Sequence, residues 1–184
     1  MLCEIRIAFS ILAYMKHIIV CVLVLFALPC VAQTEDEFLP EVRTLVMDST
    51  ENAVMRFCKE VMAVAPGYKF VFADREDVMI SRYFYDNGNF ETVRLEFQFA
   101  ADEVMMGDST MKKSRVVRSM RISAELSVMT NIYNYIFNTA YSSDNIMAIS
   151  VYDKAVSYRG TPYTSSIVAD DMKAGYWILS FFRL

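Results

Sequence analysis

The chain has 184 residues, 55% of them apolar and 14% aromatic, with 18 Lys+Arg against 22 Asp+Glu. So apolar a composition excludes a disordered chain, and a net charge of −4 excludes a surface built for general nucleic-acid binding. The single histidine and the four cysteines restrict the chemistry further through where they lie.

Residues 15–32 have the layout of a secretory signal. Lys16 and His17 form a short positive region, Ile18 to Leu28 is an unbroken apolar run, and Pro29 ends it. Cys30-Val31-Ala32 then places small residues where a signal peptidase reads, and the flank Thr34-Glu35-Asp36-Glu37 is too acidic for a bilayer. Met15 reads as the start, residues 1–14 as an over-extended N-terminus, and residues 33–184 as a single globular domain. Two alternatives compete. The run is short for a membrane anchor unless joined to the apolar residues before it, which would bury Lys16 and His17 mid-span. A lipoprotein acylated at Cys30 would want a small residue where Pro29 stands.

Cleavage after Ala32 removes two of the basic residues, one acidic residue, Cys3, Cys21, Cys30 and the only histidine, His17. Cys58 alone remains, so no internal disulfide forms. Without an imidazole, Ser/His/Asp and Cys/His nucleophilic mechanisms and histidine-based zinc or copper sites drop out.

In the mature chain, Glu35 to Met47 fits a helix or a strand equally. Asp48 is the expected N-cap of a first helix, with Glu51 three residues on, and Ala53, Val54, Phe57, Val61 and Met62 make its apolar face. Pro66-Gly67 closes it. Tyr68 to Phe72 reads as a short strand. Val78 to Tyr85 and Phe90 to Phe99 flank Asp86-Asn87-Gly88-Asn89, a hairpin signal. Val93, Leu95, Phe97 and Phe99 alternate with polar residues, as a strand with one buried face requires. Ala101 to Lys113 reads as a polar connection. Arg115 to Val128 alternates again, broken at Val117 and Arg118 as by a bulge.

Thr130 or Asn131 is the expected cap of a second helix, running to about Tyr141. Ile146 to Tyr152 with Ala155 to Tyr158 reads as an interrupted strand, Gly160-Thr161-Pro162 as a turn, Tyr163 to Val168 as a weaker strand, and Asp170 to Gly175 as a loop. Gly175 to Arg183 is a closing strand apolar on both faces, so it is either central or covered by a helix. The order gives an α+β fold: a single twisted antiparallel sheet with two or three helices packed on one face.

Few residues form a chemical constellation. Ser109-Thr110-Met111-Lys112 and Ser143-Asp144-Asn145 match two elements of serine β-lactamases and penicillin-binding proteins. The third, K-T-G, has only the loose counterpart Arg159-Gly160-Thr161, and Ser109 sits in a loop where those enzymes need a helix start. Glu76-Asp77, Asp102-Glu103 and Asp170-Asp171 are carboxylate pairs with loop character and no calcium-loop spacing. Met105, Met106 and Met111 read as filler rather than Cu(I) ligands. Asn131, Asn134 and Asn138 line a solvated helix face. The tyrosines of the C-terminal half belong mostly to the core or the sheet.

Lys112, Lys113, Arg115, Arg118 and Arg121 form a local basic strip in an acidic protein. It would take a phosphorylated or acidic glycan or an acidic partner, or else pair with Glu91 and Glu96 on the neighbouring strand. The expected protein is a small exported bacterial domain, periplasmic or surface-associated. It acts as a non-catalytic binding or envelope-assembly module for an envelope protein or glycan, without nucleic acid, metal or cofactor, and touches the membrane only through an uncleaved signal segment. The alternative is a small carboxylate-based or Ser/Lys-based hydrolase of the cell envelope.

Overall fold

Strict alternation of apolar and polar residues builds most of this protein. The computed structural model describes residues 39–77, 79–106, 110–150 and 153–183, so the expected signal segment (residues 15–32) and Ser109 lie outside them. Seven strands form one antiparallel sheet: β1 (Lys69–Asp77), β2 (Ile80–Asp86), β3 (Thr92–Met106), β4 (Thr110–Glu125), β5 (Lys154–Tyr158), β6 (Thr161–Ala169) and β7 (Tyr176–Arg183). Three helices accompany them: α1 (Glu51–Met62), α2 (Leu126–Phe137) and α3 (Ser143–Ile149). The strand order is β1-β2-β3-β4-β7-β6-β5. Two meanders, β1–β4 after α1 and β5–β7 after α2 and α3, are therefore joined through their last strands.

Register and burial separate the two faces of the sheet. Tyr83, Leu95, Ile122, Leu179 and Ile167 lie in one cross-strand row, and all are buried. They share a core with Val54, Phe57, Cys58 and Val61 of α1, with Met129, Ile132 and Ile136 of α2 and with Ile146 of α3. The alternate row, Arg82, Glu96, Arg121, Ser180 and Ser166, faces the other way. β7 is central between β4 and β6, in keeping with its two apolar faces: Trp177, Leu179 and Phe181 enter the core, while Tyr176 and Ile178 serve the second face.

Several elements differ from the sequence reading, each for a local reason. β3 and β4 run on to Met106 and from Thr110, so residues read as a polar connection are instead a long hairpin, with Asp102 opposite Ser114 and Glu103 opposite Lys113. The register shift between Gln98 and Phe99 leaves Arg118 as the extra residue of a bulge, as the broken alternation implied. β4 passes directly into α2 at Leu126, so the second helix starts four residues before Thr130, and Asn138 ends it in the left-handed region (φ 52°). Ser143–Ile149 is a helix and not a strand. Ser142 accepts from the Asn145 N–H, and Asn145 accepts from the Ser142 N–H, a reciprocal cap that overrides the β-prone apolar run. The β2–β3 connection spans five residues, with Gly88 and Phe90 at positive φ, and is not a two-residue Asn-Gly turn.

Asp48 does not cap α1. Thr50 is the N-cap residue, and it makes no side-chain cap bond. Asp48 stands in the left-handed region (φ 55°), where its carboxylate accepts from Arg118, from Arg183 Nη1 at 3.1 Å and from the Tyr163 hydroxyl at 2.8 Å. Its own N–H donates to Val117 O at 2.9 Å. One side chain thus ties the segment before α1 to β4, β6 and β7. Asp48→Ala strands a buried phenol and takes one partner from Arg118 and from Arg183, so a loss of about 1.5–3 kcal/mol is expected, read as a lower urea midpoint with unchanged m-value. Asp48→Asn keeps the shape and loses the charge, and is expected to fall between the two.

Candidate functional site

The second face of the sheet carries a group of basic side chains on neighbouring strands. Arg94 on β3 stands opposite Ser123 on β4, and Arg121 lies two residues back along β4, opposite Glu96. Such diagonal neighbours are within about 7–8 Å. Glu96 does not serve Arg121: it is buried and accepts from Arg82 Nε at 2.7 Å. Neither Arg94 nor Arg121 has a hydrogen-bond or ion-pair partner among the described residues. A guanidinium at a sheet surface ordinarily finds a carboxylate across the strand. Here the carboxylate directly opposite is already taken.

The loop between β6 and β7 adds a third cation and closes the site on one side. Asp170 opens the loop by donating its N–H to Tyr176 O at 2.8 Å and accepting the Met172 N–H at 2.9 Å. Gly175 (φ 81°) allows the return into β7. Lys173 then lies with Nζ 3.4 Å from the centre of the Tyr176 ring and donates to Thr92 Oγ1 at 3.2 Å. The Tyr176 hydroxyl accepts the Thr92 N–H at 2.9 Å, fixing loop and strand together. The cleft is open to solvent and holds about 410 Å³, with Arg94, Arg121 and Lys173 as its cations, Asp170 as its acid, and Phe84, Met172 and Ile178 as apolar wall. Three cations against one carboxylate make a positive pocket on a chain of net negative charge.

Of the basic strip, Arg115, Arg118 and Arg121 have different surroundings. Arg115 has its guanidinium 4.7 Å from the Phe99 ring and pairs with Glu51 at 3.7 Å. Arg118 pairs with Asp48. Lys112 and Lys113 stand opposite Val104 and Glu103 on the long hairpin, at alternating positions. Among these three arginines, Arg121 is the one that lines the pocket. Arg94 and Lys173, its companions there, are far from it in sequence. Arg94 shows only as a polar member of an alternating strand and Lys173 only as a loop residue.

The other motifs resolve into structural roles or fall outside the description. Ser143-Asp144-Asn145 is the first turn of α3, and the Ser109 of the other motif lies outside the described residues. The Asn134 side chain binds Tyr141 N and O and the Thr139 hydroxyl, so it fastens the end of α2. Among the described residues no three His, Cys, Asp or Glu side chains are grouped as metal ligands, and no helix is long and apolar enough to cross a membrane.

Cys58 is buried and unpaired. Burial pushes its thiol from 9.0 up to about 12, against a small opposing contribution from the Tyr85 hydroxyl. Burial likewise raises Tyr133 and Tyr163 from 10.0 to about 12, with Asp48 adding to the shift at Tyr163. These groups stay neutral in the folded protein where they would ionise unfolded. Their contribution to stability is therefore complete below about pH 9 and is lost as pH rises towards 12. Urea midpoints are expected to hold flat from pH 7 to 9 and to fall steeply from pH 10 to 12, together with the rise in tyrosinate absorbance.

Compared with protein-family models, with characterised proteins and with solved structures, the chain matches none. The reading of function therefore rests on the residues themselves.

Proposed function

We propose that this protein is a non-catalytic binding module of the bacterial cell envelope, exported by its N-terminal segment, and that the second face of its sheet holds an anionic group. In this reading residues 33–184 form one domain. The helices pack over the buried face of a twisted sheet, leaving the opposite face to the ligand. The observation that carries it is the pair Arg94 and Arg121, two guanidiniums on neighbouring strands without partners among the described residues, lining a cavity with Lys173. Guanidinium forks fit carboxylate and phosphate oxygens in pairs. The apolar wall of Phe84, Ile178 and Met172 would orient the body of the ligand, as the mixed lining of small-molecule sites does.

Titration of the protein with inorganic phosphate and with citrate at low ionic strength tests this. Saturable binding that weakens as sodium chloride is added is expected. Absence of saturable binding by either anion would sink the proposal.

A further inference from the structure

The second face continues beyond the pocket in one straight row. Phe72 of β1 pairs with Phe84, Phe84 with Arg94, Arg94 with Ser123, Ser123 with Ile178, and Ile178 with Val168. Six strands thus contribute one residue each to a line that crosses them all. At its start Phe72 and Phe84 are stacked, 4.4 Å between ring centres and 18° between planes, and Phe72 is 50% exposed. The row therefore offers an exposed aromatic ring stacked on a second one, then a cation with no partner among the described residues, then Ser123 and two aliphatic side chains.

We infer that the anion of this site is carried by an acidic polysaccharide, one whose repeating sugars bear carboxylates, lying across the strands. This rests on the anion-binding reading above and names its ligand. Three features select a sugar chain. The rungs of a sheet are ~4.8 Å apart, comparable with the length of one sugar ring, so successive sugars stay in step with successive strands. An extended peptide repeats its same-side groups only about every 6.6 Å and falls out of step after one rung. The C–H faces of a sugar ring suit the negative face of an exposed ring such as Phe72, which a bare carboxylate does not use. Charge complementarity fixes the position: the sugar on Phe72 and Phe84 is followed by one whose carboxylate enters between Arg94 and Arg121, with Lys173 at its edge.

The test compares tetragalacturonate, a poly-glutamate peptide of matched charge and inorganic phosphate, each titrated against the protein and against Arg94→Ala, Arg94→Lys and Phe72→Ala. Phe72 is half-exposed on an edge strand, so its variant is expected to fold. Tetragalacturonate is expected to bind at least tenfold more tightly than poly-glutamate. Arg94→Ala is expected to weaken it about tenfold or more, with partial recovery in Arg94→Lys, and Phe72→Ala about three- to tenfold. Phosphate binding should be unaffected by Phe72→Ala. If poly-glutamate binds as tightly as the sugar, or Phe72→Ala leaves sugar binding unchanged, the polysaccharide is excluded while the anion site stands. If none of the three binds, both readings fall.

Discussion

Phe97→Ala is expected to cost about 3–5 kcal/mol, enough to remove a large part of the stability of an ordinary domain. Phe97 is fully buried. Its ring meets Phe57 of α1 edge-on at 6.1 Å and Tyr83 of β2 at 5.8 Å, and it stands opposite Met120 on β4. Truncation opens a cavity bounded by a helix and by strands on both sides. Strands held in register by a ladder of hydrogen bonds close such a space poorly, so both the lost transfer energy and the cavity contribute. Phe72→Ala on the same sheet is expected to cost less than about 1 kcal/mol, because half of that ring is already in water. Urea titration of both variants, with m-values held fixed, checks the contrast. Equal costs would contradict the placement of the core.

The second large effect is on binding. Arg94→Ala and Arg121→Ala are each expected to weaken a bound dianion about tenfold to a hundredfold, as removal of a hydrogen bond to a charged group does. Arg94 is half-buried and Arg121 exposed, so Arg94 is expected to give the greater loss. Neither change should lower stability by more than about 0.5 kcal/mol, since neither side chain has a hydrogen-bond or ion-pair partner to abandon among the described residues. Lys173→Ala is expected to have a smaller effect. Its ammonium is already engaged by Thr92 and the Tyr176 ring, and a point charge adds less than a fork. Removing any of the three from a site with no role in binding would leave anion titrations unchanged.

Much of the fold was legible in the sequence because period-two alternation is read directly. Val93 to Phe99 and Met120 to Ala124 announce a buried and a wet face, and GYWILSFFR announces a central or helix-covered strand. The misreadings share a cause: a side chain finds a partner remote in sequence, or a local cap outranks propensity. Asp48 looks like a helix cap, yet Arg118, Arg183 and Tyr163 claim its carboxylate from three strands. Ile146 to Ile149 looks like a strand, yet the Ser142–Asn145 cap makes it helical. The hairpin beyond Phe99 was hidden because alternation stops there: the adjacent acids Asp102 and Glu103 are followed by the apolar run Val104-Met105-Met106.

The site was less legible than the fold. A run of basic residues in sequence suggested a surface strip, but a bulge at Arg118 and the alternation of the strand send Arg115, Arg118 and Arg121 to different surroundings. The pocket instead collects Arg94, Arg121 and Lys173 from β3, β4 and a loop. No spacing rule links them, because only the pairing order of the strands does. One signal was present: the β3 segment Arg94-Leu95-Glu96 carries an arginine and an acid on the same face. Which of the two would be left without a partner depends on Arg82, brought in by β2.

The central claim is most directly tested by mapping where an anion sits. Backbone amide shifts of the isotopically labelled protein, followed during titration with inorganic phosphate, are expected to move first and furthest at Thr92, Arg94, Arg121, Ser123 and Lys173 through Ile178. A response centred instead on Arg56 and Arg159, which line a separate cavity beside α1 and the β5–β6 turn, or one spread evenly over the surface, would contradict it.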